Sequence, residues 1–245
     1  MTNIICGTLD TIPLETTHRL IGLAREGGDR LVIVDEGDGM TAALADINED
    51  LLIDSTRGNW DFYADHPTEM DKAHAAEAMI PSQGIEPAVF NQATCLLTEI
   101  LCDFGWDYHG HLSRVSEHIR GLEYESIADH FRLDVSNEDD TARAFTIAAL
   151  LNEAAGRFTA RDPRVPRVSI ARWLASSPAA ILFINAGGDV RRGACRSVSA
   201  AISLIVRREA DAGTRSHIVK YSMAAEEGVL QPPPLVSIGA PQGSC

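Results

Sequence analysis

The chain has 245 residues, 45% of them hydrophobic and 23% charged, and a formal net charge of -14. That is room for one large domain, or one domain carrying a sizeable insertion, and the charge repels nucleic-acid phosphate and anionic membrane at long range. No apolar run approaches the ~20 residues of a membrane span and no signal peptide is visible at the amino end, so the sequence reads as cytoplasmic.

Strand signals lie toward the two ends of the chain and helix signals in the middle. A short apolar run, Asn3–Cys6, reads as a buried strand. The helical pattern after it places Leu14, Ile21 and Ala24 near one face and closes at Gly27-Gly28. Leu31–Asp35 and Leu51–Asp54 follow as strands, and both are continuous apolar runs, as expected of a parallel sheet covered on two faces. Between Pro67 and Val168 the pattern turns helical. Glu69–Ile80 is one expected helix and Pro87–Phe104 a longer one, with Pro87 suited to a first helical position. In that longer helix Phe90, Thr94, Leu97, Leu101 and Phe104 share a face. Glu123–Phe131 and Glu138–Phe158 are further helices, with Asn137 as N-cap of the second. Arg172-Trp173-Leu174 ends a short helix, Ala180–Asn185 is a strand, Val190–Glu209 a long helix and His217–Tyr221 a last strand. The expected fold is therefore α/β. Residues 1–66 and 168–227 form the sheet domain, 67–167 an inserted all-helical domain, and 228–245 a proline-bearing disordered tail.

The first strand, helix and second strand stand at the spacing of a βαβ unit, and that framework is the opening of a P-loop nucleotide hydrolase. The motif G-x-x-x-x-G-K-[ST] would fall on Gly7 to Leu14. Ile12 stands where its second glycine belongs, Pro13 where the lysine belongs and Leu14 where the hydroxyl residue belongs. The lysine neutralises phosphate charge and the hydroxyl holds Mg²⁺, and neither proline nor leucine does either. Gly7, Thr8 and Thr11 remain as a residual loop whose backbone N–H groups offer a weak anion site, though a plain βα loop explains them as well. No cofactor is expected, and ATP only if this residual binding survives.

The order of elements resembles the TraD-like coupling proteins of conjugation and type IV secretion. The resemblance rests on four stretches. Gly27-Gly28-Asp29-Arg30 precedes a strand ending in Asp35, with Gly37-Asp38 beyond. Leu52-Ile53-Asp54 leads through Gly58-Asn59 to Trp60-Asp61, Val115 to Ala128 is similar to a helical stretch of the family's insertion, and Val168 to Leu174 precedes the strand Ile181–Ile184. Together they span about residues 4 to 222. The resemblance implies a RecA-like P-loop sheet with an inserted all-alpha domain, and in the family a hexameric, membrane-anchored, DNA-pumping ATPase. Against that pattern the phosphate loop is replaced. Ser222 and Met223 stand where the Walker B strand should end in Asp-Glu, and Glu226 and Glu227 lie about a turn further on. The membrane anchor and the sheet strands after Walker B are not found, so the sheet is expected to be incomplete. The reading is a non-hydrolysing pseudo-ATPase that docks onto a coupling ATPase, a secretion substrate or a relaxase, without direct nucleic-acid binding given its charge.

Other clusters have simpler explanations. Asp35, Glu36 and Asp38 sit at a strand's carboxyl end, where α/β sheets bind ligands, but a solvated acidic loop suffices. Asp107, His109 and His111, with His118 and His130 downstream, suggest an alternative, a metal-dependent hydrolase. A surface turn between helices is the preferred explanation, because no H-E-x-x-H spacing is present. The basic stretch Arg161 to Arg172 reads as a solvated loop. The five cysteines, Cys6, Cys95, Cys102, Cys195 and Cys245, read as free thiols; Cys195 opens a helix, with His217 as the nearest imidazole. Trp60, Trp106 and Trp173 are expected to anchor the seam between the helical insertion and the sheet.

Overall fold

A computed structural model describes residues 2–7, 14–35, 39–54, 57–104, 112–155, 162, 164–177, 180–185, 195–212 and 217–218. Five parallel strands form one sheet in the order β3-β4-β2-β1-β5. They are β1 (Thr2–Gly7), β2 (Arg30–Asp35), β3 (Leu51–Asp54), β4 (Ile181–Asn185) and β5, of which His217–Ile218 are described. The register runs straight across: Ile5 opposes Ile33, Ile33 opposes Phe183, and Phe183 opposes Leu52.

The apolar runs alternate between two cores, which is why they are continuous in sequence. Ile5, Leu31, Ile33 and Phe183 face Ile21 and Ala24 of α1 (Leu14–Gly27) and Met40 and Leu44 of α2 (Gly39–Leu44). Ile4, Val32, Val34, Leu182 and Ile184 face Ile170 and Trp173 of α9 (Ile170–Ser176) and Val198, Ala201, Leu204 and Ile205 of α10 (Cys195–Asp211). Parallel crossovers are right-handed, so helices that follow one direction of travel cover one face and those that follow the other direction cover the opposite face. The chain travels from β1 through β2 to β3 in one direction, then back through β4 to β5. The turn back comes at β3, the edge strand.

Apart from one isolated bridge, the regular elements described in the long connection between β3 and β4 are all helices. It runs through α3 (Phe62–Asp65), α4 (Glu69–Met79), α5 (Pro87–Phe104), α6 (Leu112–Arg120), α7 (Tyr124–Phe131) and α8 (Glu138–Ala155). A third core lies among them. Ala76, Met79, Ala93, Leu97, Leu101, Val115, Ile119, Ile147 and Leu151 are its centre, and Phe62 of α3 and Ala200 of α10 reach into it. Thr68 and Asp71 form a reciprocal capping box at the start of α4. The Asn137 side chain accepts from the Asp139 and Asp140 backbone N–H groups and so caps α8 as its sequence position suggested.

Three expectations about individual residues change. Leu14 is not part of the α1 stripe; Thr17 takes its place, and Leu14 is 43% exposed at the first helical turn. On α5 the buried stripe is broader than expected, because the helix is enclosed on several sides: Val89, Ala93, Leu96 and Ile100 are buried while Phe90 and Phe104 stay half-covered. Helices α2 and α3 were not foreseen, being too short to show a period. Leu97→Ala, which removes a fully enclosed side chain, is expected to cost about 3 kcal/mol in urea unfolding. Leu23→Ala, at an exposed position of α1, should stay within about 0.5 kcal/mol.

Candidate functional site

The sequence expectation puts the phosphate loop just beyond the carboxyl end of β1. In open α/β sheets ligands bind beyond the carboxyl ends of the strands at the point where strand order reverses. Here β1 lies beside β5, with Asn3 against His217 and Ile4 against Ile218, and the connection that leaves β5 lies outside the described residues. Gly7 closes β1 opposite Asp35. Thr8 and Thr11, with Ile12 and Pro13, lie outside the described residues, as do Glu36, Asp38, Ser222 and Met223. From Gly7 outward the described residues at the carboxyl edge are Asp35, Asn185 and Asp54, on adjacent strands in register.

Asp35 is not part of a solvated loop. It is fully buried, and its Oδ2 accepts from the Thr41 backbone N–H at 2.6 Å, in the first turn of α2. The carboxylate is used to start that helix, where orphan N–H groups and the positive end of the helix favour an anion. Asp54 pairs with Arg57 Nε at 3.4 Å. Arg30 of the Gly-Asp-Arg stretch lies at the opposite, amino edge of the sheet. Its guanidinium sits 4.9 Å over the Trp173 ring and donates to the Ser177 carbonyl. Burial holds its pKa below the usual value, opposed by Glu209. Arg30 therefore ties β2 to α9, and it sits at the wrong end of the sheet to meet a phosphate. Cys195 and His217 are also separated: α10 starts past the carboxyl end of β4 and returns the chain to the amino side, where β5 begins.

The densest polar constellation was not foreseen in the sequence. The chain leaves the sheet for the helical insertion, and returns from it, through two stretches that lie side by side. Trp60 and Val168 form a parallel bridge, with Asp61 N donating to Val168 O and Val168 N to Asn59 O, each at 2.9 Å. Asn59 is buried; its Oδ1 accepts from Asp54 N and its Nδ2 donates to Leu52 O, both at 2.7 Å. At the centre Asp65, fully buried at the end of α3, takes four donors. Trp60 Nε1 donates at 2.7 Å, Ser169 Oγ at 2.6 Å, and the Ile170 and Ala171 backbone N–H groups at 2.8 and 2.9 Å. Ser169 itself caps α9 through Arg172 N. A carboxylate from the outgoing stretch thus occupies the positive end of the first helix of the returning stretch.

Of the three tryptophans, Trp60 packs against both the helical and a sheet core, Trp173 is buried in the latter, and Trp106 lies outside the described residues. The basic stretch is largely neutralised within the neck. Arg164 holds Asp162 in two hydrogen bonds, which together with its backbone N–H bring that carboxyl down to about 2. Arg167 meets Asp61 at 3.4 Å, Arg172 is exposed, and Arg161 lies outside the described residues. Asp107, His109 and His111 likewise lie outside them. The downstream imidazoles stand on different helices: His130 pairs with Glu99 at 3.4 Å and His118 tilts against Phe104.

The chain matches the family model of the type IV secretion-system coupling protein DNA-binding domain over residues 2–213. It belongs to that family. Among solved structures it is similar to the bacterial conjugative coupling protein TrwBdeltaN70 in an unbound monoclinic form (16% identity, TM-score 0.62, 89% of this chain and 53% of that one). It is likewise similar to TrwB in complex with the non-hydrolysable ATP analogue ADPNP (17%, 0.62, 89% and 55%). A trigonal TrwBdeltaN70 form in complex with sulphate gives 15%, 0.64, 89% and 55%. No curated protein matches. The likeness establishes the fold, a RecA-like P-loop sheet with helical additions, and this coupling-protein chain spans about half the length of those structures. The family description names a DNA-binding domain, which stands against the expectation drawn from net charge. Among the described residues no helix is long and apolar enough to cross a membrane.

The neck makes a direct prediction. Asp65→Ala leaves an indole, a hydroxyl and two backbone N–H groups buried without an acceptor, and is expected to cost about 3–5 kcal/mol in urea unfolding. Asp61→Ala, which removes a half-exposed pair with Arg167, should cost less than about 1 kcal/mol.

Proposed function

We propose that this coupling-protein domain does not hydrolyse nucleotide and acts by docking. The observation that carries the reading is the identity of three residues, Ile12, Pro13 and Leu14, at the lysine-bearing end of a loop whose place at the β1–α1 turn the fold supports. Phosphoryl transfer depends on cationic groups and a held Mg²⁺ to spread charge over the transferring group, and loss of one such contact can cost on the order of 10³ in rate. Here the lysine and hydroxyl are replaced, as are the Walker B acids at Ser222 and Met223. The partner is a coupling ATPase, a secretion substrate or a relaxase protein, met in the cytoplasm through the helical insertion at 67–167, while 1–66 and 168–227 form the nucleotide-binding-type domain. No bound cofactor is required.

Direct DNA binding is weak in this reading. Residues 67–167 carry 17 Asp and Glu against 9 Lys and Arg. Arg164 and Arg167, within the basic stretch, already have carboxylate partners.

Two measurements test the proposal. A coupled assay with Mg-ATP, with and without single-stranded DNA, is expected to show no turnover above buffer; DNA-stimulated turnover would defeat it. Anisotropy of a labelled oligonucleotide at 150 mM salt is expected to place Kd at or weaker than about 10⁻⁴ M, the weak end of non-specific binding. Submicromolar binding would return DNA to the list of partners.

A further inference from the structure

Helix α10 packs on two bodies at once. Val198, Ala201, Leu204 and Ile205 enter the sheet core, while Ala200 enters the helical core beside α4. The seam between α10, α4 and the end of α3 is not wholly apolar. Arg207 of α10 donates through Nη1 to His74 Nδ1 of α4, and its Nε is buried without a partner among the described residues. A guanidinium only donates, so His74 Nδ1 must present its lone pair.

His66, just beyond α3, is fully buried. Its Nδ1 lies 2.9 Å from the Phe62 carbonyl, which can only accept, so Nδ1 carries the proton. Nε2 is then a bare acceptor, with no partner among the described residues. The ring stacks on Phe62 at 4.3 Å and meets the edge of Trp60 at 5.7 Å. A proton added at His66 Nε2 gains no acceptor there, and a proton added at His74 Nδ1 breaks the bond to Arg207. Either creates a second cation near a guanidinium that has no carboxylate in contact among the described residues.

We propose that the α4–α10 seam is an acid-sensitive joint: protonation of the buried His66, beside the Arg207 that bridges to His74, unseats the helical insertion from α10 while the sheet stays folded. The proposal stands independently of whether nucleotide binds. The charged groups that face the cluster are Asp65 at the end of α3, Asp71 on α4, and Arg207 and Arg208 on α10. Asp65 is already saturated by four donors, and Asp71 is held by Thr68. Lys72 turns to the Pro67 carbonyl, and Glu209 faces Arg30. Burial pushes up the Tyr63 hydroxyl of α3 and the Cys102 thiol of α5, so neither brings a charge, while Glu69, Glu99 and Asp103 act on Cys102 and are not among the groups that act on His66.

Burial pushes the His66 pKa below its usual 6.5; the Phe62 carbonyl, Asp65 and Asp71 oppose this, and Arg207 adds to it. The sign follows. The closed seam binds fewer protons than the open one. Its stabilisation is complete above pH 6.5 and is lost as pH falls from 6.5 toward the lower value of the closed state.

Hydrogen exchange on the whole chain, corrected for intrinsic rates, tests this at pH 7.5 and 5.5. The expected result is a loss of protection of about threefold or more in α4 and α10 at pH 5.5, with β1, β2 and β4 unchanged; a group of ordinary pKa 6.5 sets a ceiling of about tenfold at that pH. The double variant His66→Asn, His74→Gln should keep its protection within about twofold. Equal protection at both pH values, loss shared by the strands, or loss persisting in the double variant would overturn the proposal. If that variant does not fold, imidazole resonances of the unaltered chain decide. The His66 ring should titrate with the same midpoint as the loss of protection, and titration without loss, or loss without titration, overturns it.

Discussion

A buried carboxylate must find donors, and Asp65 finds them in a stretch 104 to 106 residues away in sequence. That requirement fixes how the helical insertion sits on the sheet. The outgoing stretch can bury Asp65 only if the returning stretch presents Ser169 and the start of α9 beside it. The return then delivers Ile170 and Trp173 to the sheet core and β4 to its place between β2 and β3. The Trp60–Val168 bridge and the Asn59 bonds extend the same constraint along the neck. Each of these bonds is worth more in a dry neck than on the surface, and leaving one unmade costs more still.

None of this depends on a phosphate. The three cores are assembled from apolar strands and enclosed helix faces, and the described carboxylates at the sheet's carboxyl edge are turned to structural ends: Asp35 starts α2 and Asp54 pairs with Arg57. Arg30, the cation of the Gly-Asp-Arg stretch, works at the far edge of the sheet. A coupling-protein framework of this kind keeps its shape without the charge balance that a triphosphate and its metal would supply. Of the three residues at the lysine-bearing end of the motif, Ile12 and Pro13 lie outside the described residues, and Leu14 is exposed at the start of α1, outside the three cores.

The periodic features were legible in the sequence. Continuous apolar runs marked β1 to β4, the proline at 87 marked the start of α5, and Asn137 marked the start of α8, because each signal is local. What failed to show was non-local or short. Leu14 looked like a stripe residue by spacing, yet α1 turns Thr17 inward instead, since the face is set by where the sheet lies. Asp35 looked like a solvated acid because nothing in its neighbours reveals the six-residue helix that it caps. Asp65 gave no signal beyond its distance of five residues from Trp60, since two of its donors are backbone groups whose location only the fold determines. The order β1, α1, β2 was legible from its spacing, whereas the neck was invisible.

If the cores and the neck hold the domain without help from a nucleotide, then nucleotide should add nothing to its stability. Thermal unfolding followed across a Mg-ATP titration measures this. An unchanged midpoint up to millimolar nucleotide is the result expected. A midpoint that climbs with nucleotide concentration, toward the ~2.7 kcal/mol that a ligand at one hundred times its Kd confers, would contradict the account.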